Sequence, residues 1–284
     1  MKRFFILPIF FAGLLLCSPP ASAVEVLLKF SGGLSYLSLP NIDRLLQDWV
    51  EWKKKDTEAH AAWTFLGGEA TRLQSGFDFE GEIVVSITPR IAAGIGAGYL
   101  YSELSEEKTA LTIERVKGTF LDVKPVKVST LPLTLMGYYF FPLDTSMRLY
   151  VKGGVGLLWG KYIEREGRRL TANENFSYQF SQMASGRGAV FLGGLGFDFE
   201  FEQGLRVFFE GSARMSRISN FEGDNEEELE ILYHFEEYDQ DYNLWQTKYQ
   251  VRATAPSGTN YRSVQKAVID IRSLSIKLGL SFKF

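Results

Sequence analysis

The stretch LSIKLGLSFKF, Leu274 to Phe284, places an apolar residue at every even position and Ser, Lys or Gly at every odd one. Successive side chains of a strand point to opposite faces, so this is a strand with one fully apolar surface and one small or charged surface. The same two-residue period recurs seven more times. It runs through Val26 to Tyr36, Phe77 to Ile87, Ile91 to Tyr101, Leu131 to Phe141, Met147 to Trp159, Ala189 to Phe201 and Leu205 to Met215. Short turns follow the second, fourth and sixth segments, at Thr88-Pro89-Arg90, Pro142 to Ser146 and Glu202-Gln203-Gly204, and long polar connections follow the others. An even number of antiparallel strands with tight turns at a periplasmic rim and long loops outside has this form. The pattern therefore predicts an all-β fold, a closed antiparallel transmembrane β-barrel of eight strands.

The start of the chain agrees with export. Lys2 and Arg3, the apolar run Phe4 to Leu16 and the small residues Ala21-Ser22-Ala23 have the layout of a cleavable signal peptide, so residues 1–23 are expected to be a leader and 24–284 the barrel domain. Cys17 is the only cysteine and lies in the leader; the residue before it is Leu16, where a lipoprotein site needs a small one. The mature chain then has no disulfide and no thiolate chemistry. Thirty-one basic residues, two of them in the leader, face 34 acidic ones, which argues against nucleic acid as a partner. No later run reaches the roughly 20 apolar residues of a membrane helix.

A soluble β-sandwich would alternate too, but with its apolar face inside. Two features favour the inverted arrangement. The non-apolar faces mix glycines with charges of both signs, and aromatics recur near strand ends, where an interfacial girdle belongs.

The eight alternating segments, the leader and the terminal aromatic together resemble the bacterial outer-membrane β-barrel superfamily, including the OmpA, OmpX, OmpW and opacity-protein barrels. SITPRIAAGIGAGYLYS, Ser86 to Ser102, is similar to the turn and Gly-rich strand of its smaller members. The resemblance implies that Ile276, Leu278, Leu280, Phe282 and Phe284 form the signal read by the barrel-assembly machinery. It implies contact with outer-membrane lipid and lipopolysaccharide, and no peptidoglycan-binding domain is expected after Phe284. The first loop, Pro40 to Arg72, and the fourth, Asn220 to Val268, exceed those of a minimal barrel, and the last segment loses phase near Arg272 and Ser273, as at a bulge.

The inward faces carry the candidate functional residues. Lys29, Arg148, Lys152, Arg206, Arg214, Lys277 and Lys283 stand against Asp78, Glu80, Glu82, Asp198, Glu200, Glu202 and Glu210. Buried charges need partners, and balanced signs can pair across a narrow lumen. The reading is structural ion pairing; the alternative is a polar path for a small solute, in an interior only wide enough for side chains or one small ligand.

In the first loop, Ile42, Leu45, Leu46 and Trp49 recur at helical spacing with Asn41 as a possible cap. Such a helix either lids the barrel or rests its Trp face on the outer leaflet, with Lys53, Lys54 and Lys55 reaching lipopolysaccharide phosphates. The fourth loop holds ten acids between Glu222 and Asp241 and reads as a solvated, repelling loop without a dedicated calcium pattern. Within it Leu229 to Phe235 and Tyr242 to Val251 also alternate. They are strands projecting above the membrane or a hairpin that raises the count to ten.

His60 and His234, both in expected loops, are the only histidines, and nothing in their spacing fixes a catalytic geometry. The sequence calls for no cofactor and no metal. Its most direct functional reading is a non-catalytic outer-membrane barrel with a structural or surface-interaction role, and the alternative is a narrow channel or binding barrel for small or hydrophobic solutes, as in the OmpW-like members.

Overall fold

The computed structural model describes residues 25–172, 176–223 and 230–284; the expected leader and part of the acidic run lie outside them. Among the described residues are fourteen strands: β1 (Val26–Ser38), β2 (Thr64–Gly68), β3 (Ser75–Ser86), β4 (Ile91–Leu104), β5 (Leu111–Arg115), β6 (Gly118–Val123), β7 (Val126–Pro142), β8 (Met147–Leu170), β9 (Ser177–Glu202), β10 (Leu205–Gly223), β11 (Ile231–Asp239), β12 (Leu244–Arg252), β13 (Tyr261–Lys266) and β14 (Ile269–Lys283). One α-helix, α1 (Pro40–Ala59), follows β1.

Eight of the strands close on themselves, in the order β1, β3, β4, β7, β8, β9, β10 and β14, with β14 antiparallel to β1. Following paired residues once around gives the stagger. The path leaves β1 at Leu28 and passes Ile83, Ile95, Leu135, Val155, Phe191, Met215 and Arg272. It returns to β1 at Ser38, ten residues further on. With ordinary strand spacings that stagger tilts the strands by about 41° and gives a backbone radius of about 8 Å. Side chains from opposite walls meet across such a width.

The outward row is apolar. On β8 it runs Leu149, Val151, Val155, Leu157 and Trp159, and on β14 Leu274, Ile276, Leu278, Leu280 and Phe282, with Phe284 just beyond its end, all exposed. At this tilt Leu149 to Trp159 spans about 25 Å, the height of the apolar band of an outer-membrane barrel. The barrel is a transmembrane one.

Two features of the ladders follow from single residues. Pairing of β4 with β7 stops between Ala97↔Leu133 and Leu100↔Thr130, where Pro132 supplies no N–H. Beside it, Gly98 leaves room for the ring: a Cβ there would lie 3.2 Å from the Pro132 side chain. The expected bulge at Arg272 and Ser273 is absent. β14 keeps register with both neighbours through these residues, and the apparent loss of phase is Ile269 and Ile271 turning inward beneath the loops.

The alternating residues of the fourth loop do not enter the ring. β11 pairs with β12 and β13 and meets β10 only at Glu222↔Ile231, so the barrel has eight strands and the ten-stranded alternative is excluded. At the other side β5 pairs with β2 and β6, and β6 joins the projecting end of β8. These strands and the long ends of β8 and β9 form a folded cap over the loop end. The acids expected to be a solvated loop are partly enlisted in it: Glu236 is buried and paired with Arg44 and Arg262.

Closure itself tests the packing. A Cβ on Gly33, opposite Lys277 at the β1–β14 seam, would lie 1.9 Å from the Ile276 carbonyl oxygen, whereas one on outward Gly137 meets nothing within 4 Å. Gly33→Val is expected to abolish the compact, heat-modifiable form on unheated SDS gels, and Gly137→Val to keep it.

Candidate functional site

The interior has two storeys. The lower one, towards the short turns, holds an ionic cluster beside a small apolar one that includes Leu27, Val84 and Phe140. Inward positions on β1, β3, β8, β10 and β14 bring Lys29, Glu80, Glu82, Lys152, Glu210 and Lys277 together, all buried. Lys152 Nζ lies 2.7 Å from Glu82, 2.9 Å from Glu210 and 3.2 Å from Glu80. Lys277 pairs with Glu80 and lies 3.1 Å from Glu210. Lys29 Nζ donates to the Tyr150 hydroxyl at 3.3 Å and is 3.8 Å from Glu82. It also sits over the rings of Tyr138, Tyr150 and Phe208, 4.3–4.9 Å from their centroids, where the ring quadrupoles favour a cation.

Two tyrosines complete this cluster, and counting charges missed both. Tyr150 donates to Glu210 at 2.9 Å, and Tyr138 donates to Glu82. The signal for Tyr150 is its place between Arg148 and Lys152 on the inward face of β8. Above the cluster Asp78 accepts from Arg214 at 3.2 Å and from the Ser275 hydroxyl at 2.9 Å. Below it Asp198 is shared by Arg148 and Arg206, each at 2.7 Å, and Glu200 takes the other arm of Arg206.

Two of the expected lumen residues stand apart. Glu202 is exposed at the turn end, and Lys283 sits at the same rim, 3.0 Å from Glu25, because both occupy the last positions of their strands.

The upper storey is apolar, a lining that the inward charges of the sequence do not signal. Leu37, Leu100, Val128, Leu158, Val190 and Ile271 fill the wall-to-wall space, and Leu39, Ile42, Leu45 and Leu46 of the α1 segment pack on them in one cluster. α1 is therefore a lid, with Trp49 buried rather than resting on lipid. It begins with Pro at its first turn and no side-chain cap. Asn41, expected to be that cap, instead donates to the Val268 carbonyl at 3.1 Å.

Polar contacts pin the lid from outside. Arg44 pairs with Glu236 at 2.5 Å, and Trp52 donates to Asp239 at 2.8 Å. Lys53 is buried against Asp122 and Glu166, at 3.2 and 3.0 Å, so it is not presented to lipid phosphates. Burial alone would raise the Glu166 carboxyl, but Lys124 and Lys53 outweigh it and bring it down to about 2. Burial would likewise lower Lys124, and the Glu164 and Glu166 carboxylates beside it hold it above its ordinary value.

No protein-family model and no curated protein matches the sequence. Among solved structures the chain is similar to the outer membrane protease OmpT of Escherichia coli, with 11% identity, a TM-score of 0.41 and 93% of this chain and 99% of that one covered. It is similar to a major outer membrane protein of Thermus thermophilus at 12% identity and a TM-score of 0.40, covering 93% and 100%. For neisserial surface protein A the values are 10% and 0.33, covering 93% and 100%. Strand number, tilt and lining rest on the pairing within this chain.

The histidines lie apart from these clusters. His60, at the end of α1, stacks on Trp63 at 4.0 Å with its Nδ1 2.7 Å from the Asp56 carbonyl oxygen. His234 belongs to strand β11, not to a loop, and faces Tyr249 and Gln265. No group of three or more His, Cys, Asp or Glu side chains among the described residues is arranged to hold a metal.

Lys152 is the shared cation of three carboxylates, so Lys152→Met leaves them facing one another. Folding stability, measured by guanidinium unfolding in detergent, is expected to fall by about 3–5 kcal/mol. Lys152→Met combined with Glu210→Gln should lose less, because one of the stranded carboxylates is then neutral.

Proposed function

We propose that the protein is a sealed, non-catalytic barrel of the bacterial outer membrane whose role is structural or lies in surface interaction through its cap. The observation that carries this reading is the filled interior. An ionic storey of paired side chains is overlain by an apolar storey, and α1 closes the mouth. A radius of about 8 Å has no room for both this lining and a water path. The apolar belt supports insertion, and the signal-like residues 1–23 support export to an envelope membrane.

In this orientation the three short turns and the start of β1 face the periplasm, and the cap faces outward. Lipid lines the belt on every side. The row Ile276, Leu278, Leu280, Phe282 and Phe284 lies on the lipid face of the closing strand, where the barrel-assembly machinery would read it before closure. Phe284→Ser is expected to slow machinery-dependent insertion into proteoliposomes while spontaneous refolding into short-chain lipid vesicles proceeds at the parental rate. Equal slowing in both would make Phe284 a stability residue and not a signal.

Conductance separates the sealed barrel from a narrow channel. The refolded chain in a planar bilayer is expected to give a flat baseline, and steady unitary steps would refute the sealed reading.

A further inference from the structure

Just above the apolar belt, β10 carries an irregularity with a counterpart in the surface beside it. Its register against β9 shifts between Ser219↔Arg187 and Glu222↔Ser185, and Asn220 takes φ 52°. An extra residue is thus inserted on one strand only, which bends that strand locally. Gly186 is the residue that accepts the bend: a Cβ on it would lie 2.8 Å from the Ser219 carbonyl oxygen and 2.9 Å from the Phe221 ring. Beside the bulge is a concavity of about 840 Å³ on the outer face.

Its outward residues are ordered by height. The upper rung of paired residues is Ser129–Lys161–Ser185 and the next is Leu131–Trp159–Arg187. Below these Leu133, Leu157 and Ala189 continue into the belt. Lys266 of β13 lines the concavity from above, and Glu222 is the one acid among its lining residues. Lys161, Arg187 and Lys266 have no ion-pair partner among the described residues. Lys161, Lys266 and two serine hydroxyls thus stand above the rung on which Arg187 flanks the Trp159 indole, with a leucine row beneath. Charge-assisted hydrogen bonds from such a set suit phosphate oxygens, and the rows beneath suit acyl chains.

We infer that this concavity binds the phosphorylated headgroup of an outer-leaflet lipid, with Lys161, Arg187 and Lys266 on the phosphate and the acyl chains descending along Leu131 and Leu157. The inference rests on the outward orientation of the cap proposed above.

The test uses the full mature chain folded in maltoside micelles, titrated with bisphosphorylated lipid A and with the same lipid stripped of phosphate, binding being read by native mass spectrometry. The phosphorylated lipid should bind more tightly, and Lys161→Gln with Arg187→Gln should weaken it by about a hundredfold, each of the two lost charged contacts being worth ~1.5 kcal/mol. Lys266→Gln, outside the belt, should weaken it by a smaller factor, and Lys117→Gln on the exposed β5–β6 turn should leave it unchanged. Equal affinity for the two lipids, or full retention in the double variant, overturns the proposal. So does complete displacement by millimolar inorganic phosphate, which would assign the cavity to a free anion. A chain that folds in water without detergent would instead strike the membrane reading itself, whereas a folded barrel indifferent to phosphate strikes the lipid site alone.

Discussion

A barrel whose outer face is hydrocarbon has a single dry place for its charges, the lumen, and a charge placed there survives only with partners. The Lys152 ammonium among Glu80, Glu82 and Glu210 is the interaction that meets this demand. Each of its three carboxylates is held by at least one further donor, from Lys277, Lys29, Tyr138 or Tyr150. Desolvation of so many ionised groups is costly, and only dense mutual pairing offsets it. With Tyr138 of β7 the cluster draws on six strands of the ring, so it links distant parts of the wall as well as neutralising them.

The ring geometry makes that pairing possible. Eight strands staggered by ten residues give a bore in which a lysine from β8 reaches glutamates on β3 and β10 directly. A wider barrel would have separated them with water. The same bore, continued upward with leucine, valine and isoleucine, gives α1 an apolar floor. The lid is therefore held by two unlike forces: a buried apolar face below, and an ion pair and a hydrogen bond from β11 at its outer side.

Much of this was legible in the alternation. LSIKLGLSFKF already separates a lipid face from a lumen face, and the period of two assigns most buried charges to the right side. Rim positions were not separable this way. Glu202 and Lys283 share the inward phase of their strands, yet the wall ends at them and they emerge into solvent. The cap was illegible for another reason. Its pairings join residues far apart in the chain, as Arg44 with Glu236 or β6 with the end of β8, and no local period encodes a partner nearly two hundred residues away. The upper storey was hidden because inward Leu37, Leu158 and Ile271 share their strands and their inward phase with polar residues. Alternation tells which face a side chain takes, and not at what height a wet or charged lining gives way to a dry one.

The cap is not a separate module set on the barrel. β8 and β9 run without interruption from the turn end, through the belt, to Leu170 and Ser177 beyond it. A force applied to the cap would therefore travel along covalent backbone and paired ladder straight into the apolar wall of the barrel. There is no linker in those two strands to take up slack. Such a molecule behaves as a stiff post in its membrane rather than as a tethered flag.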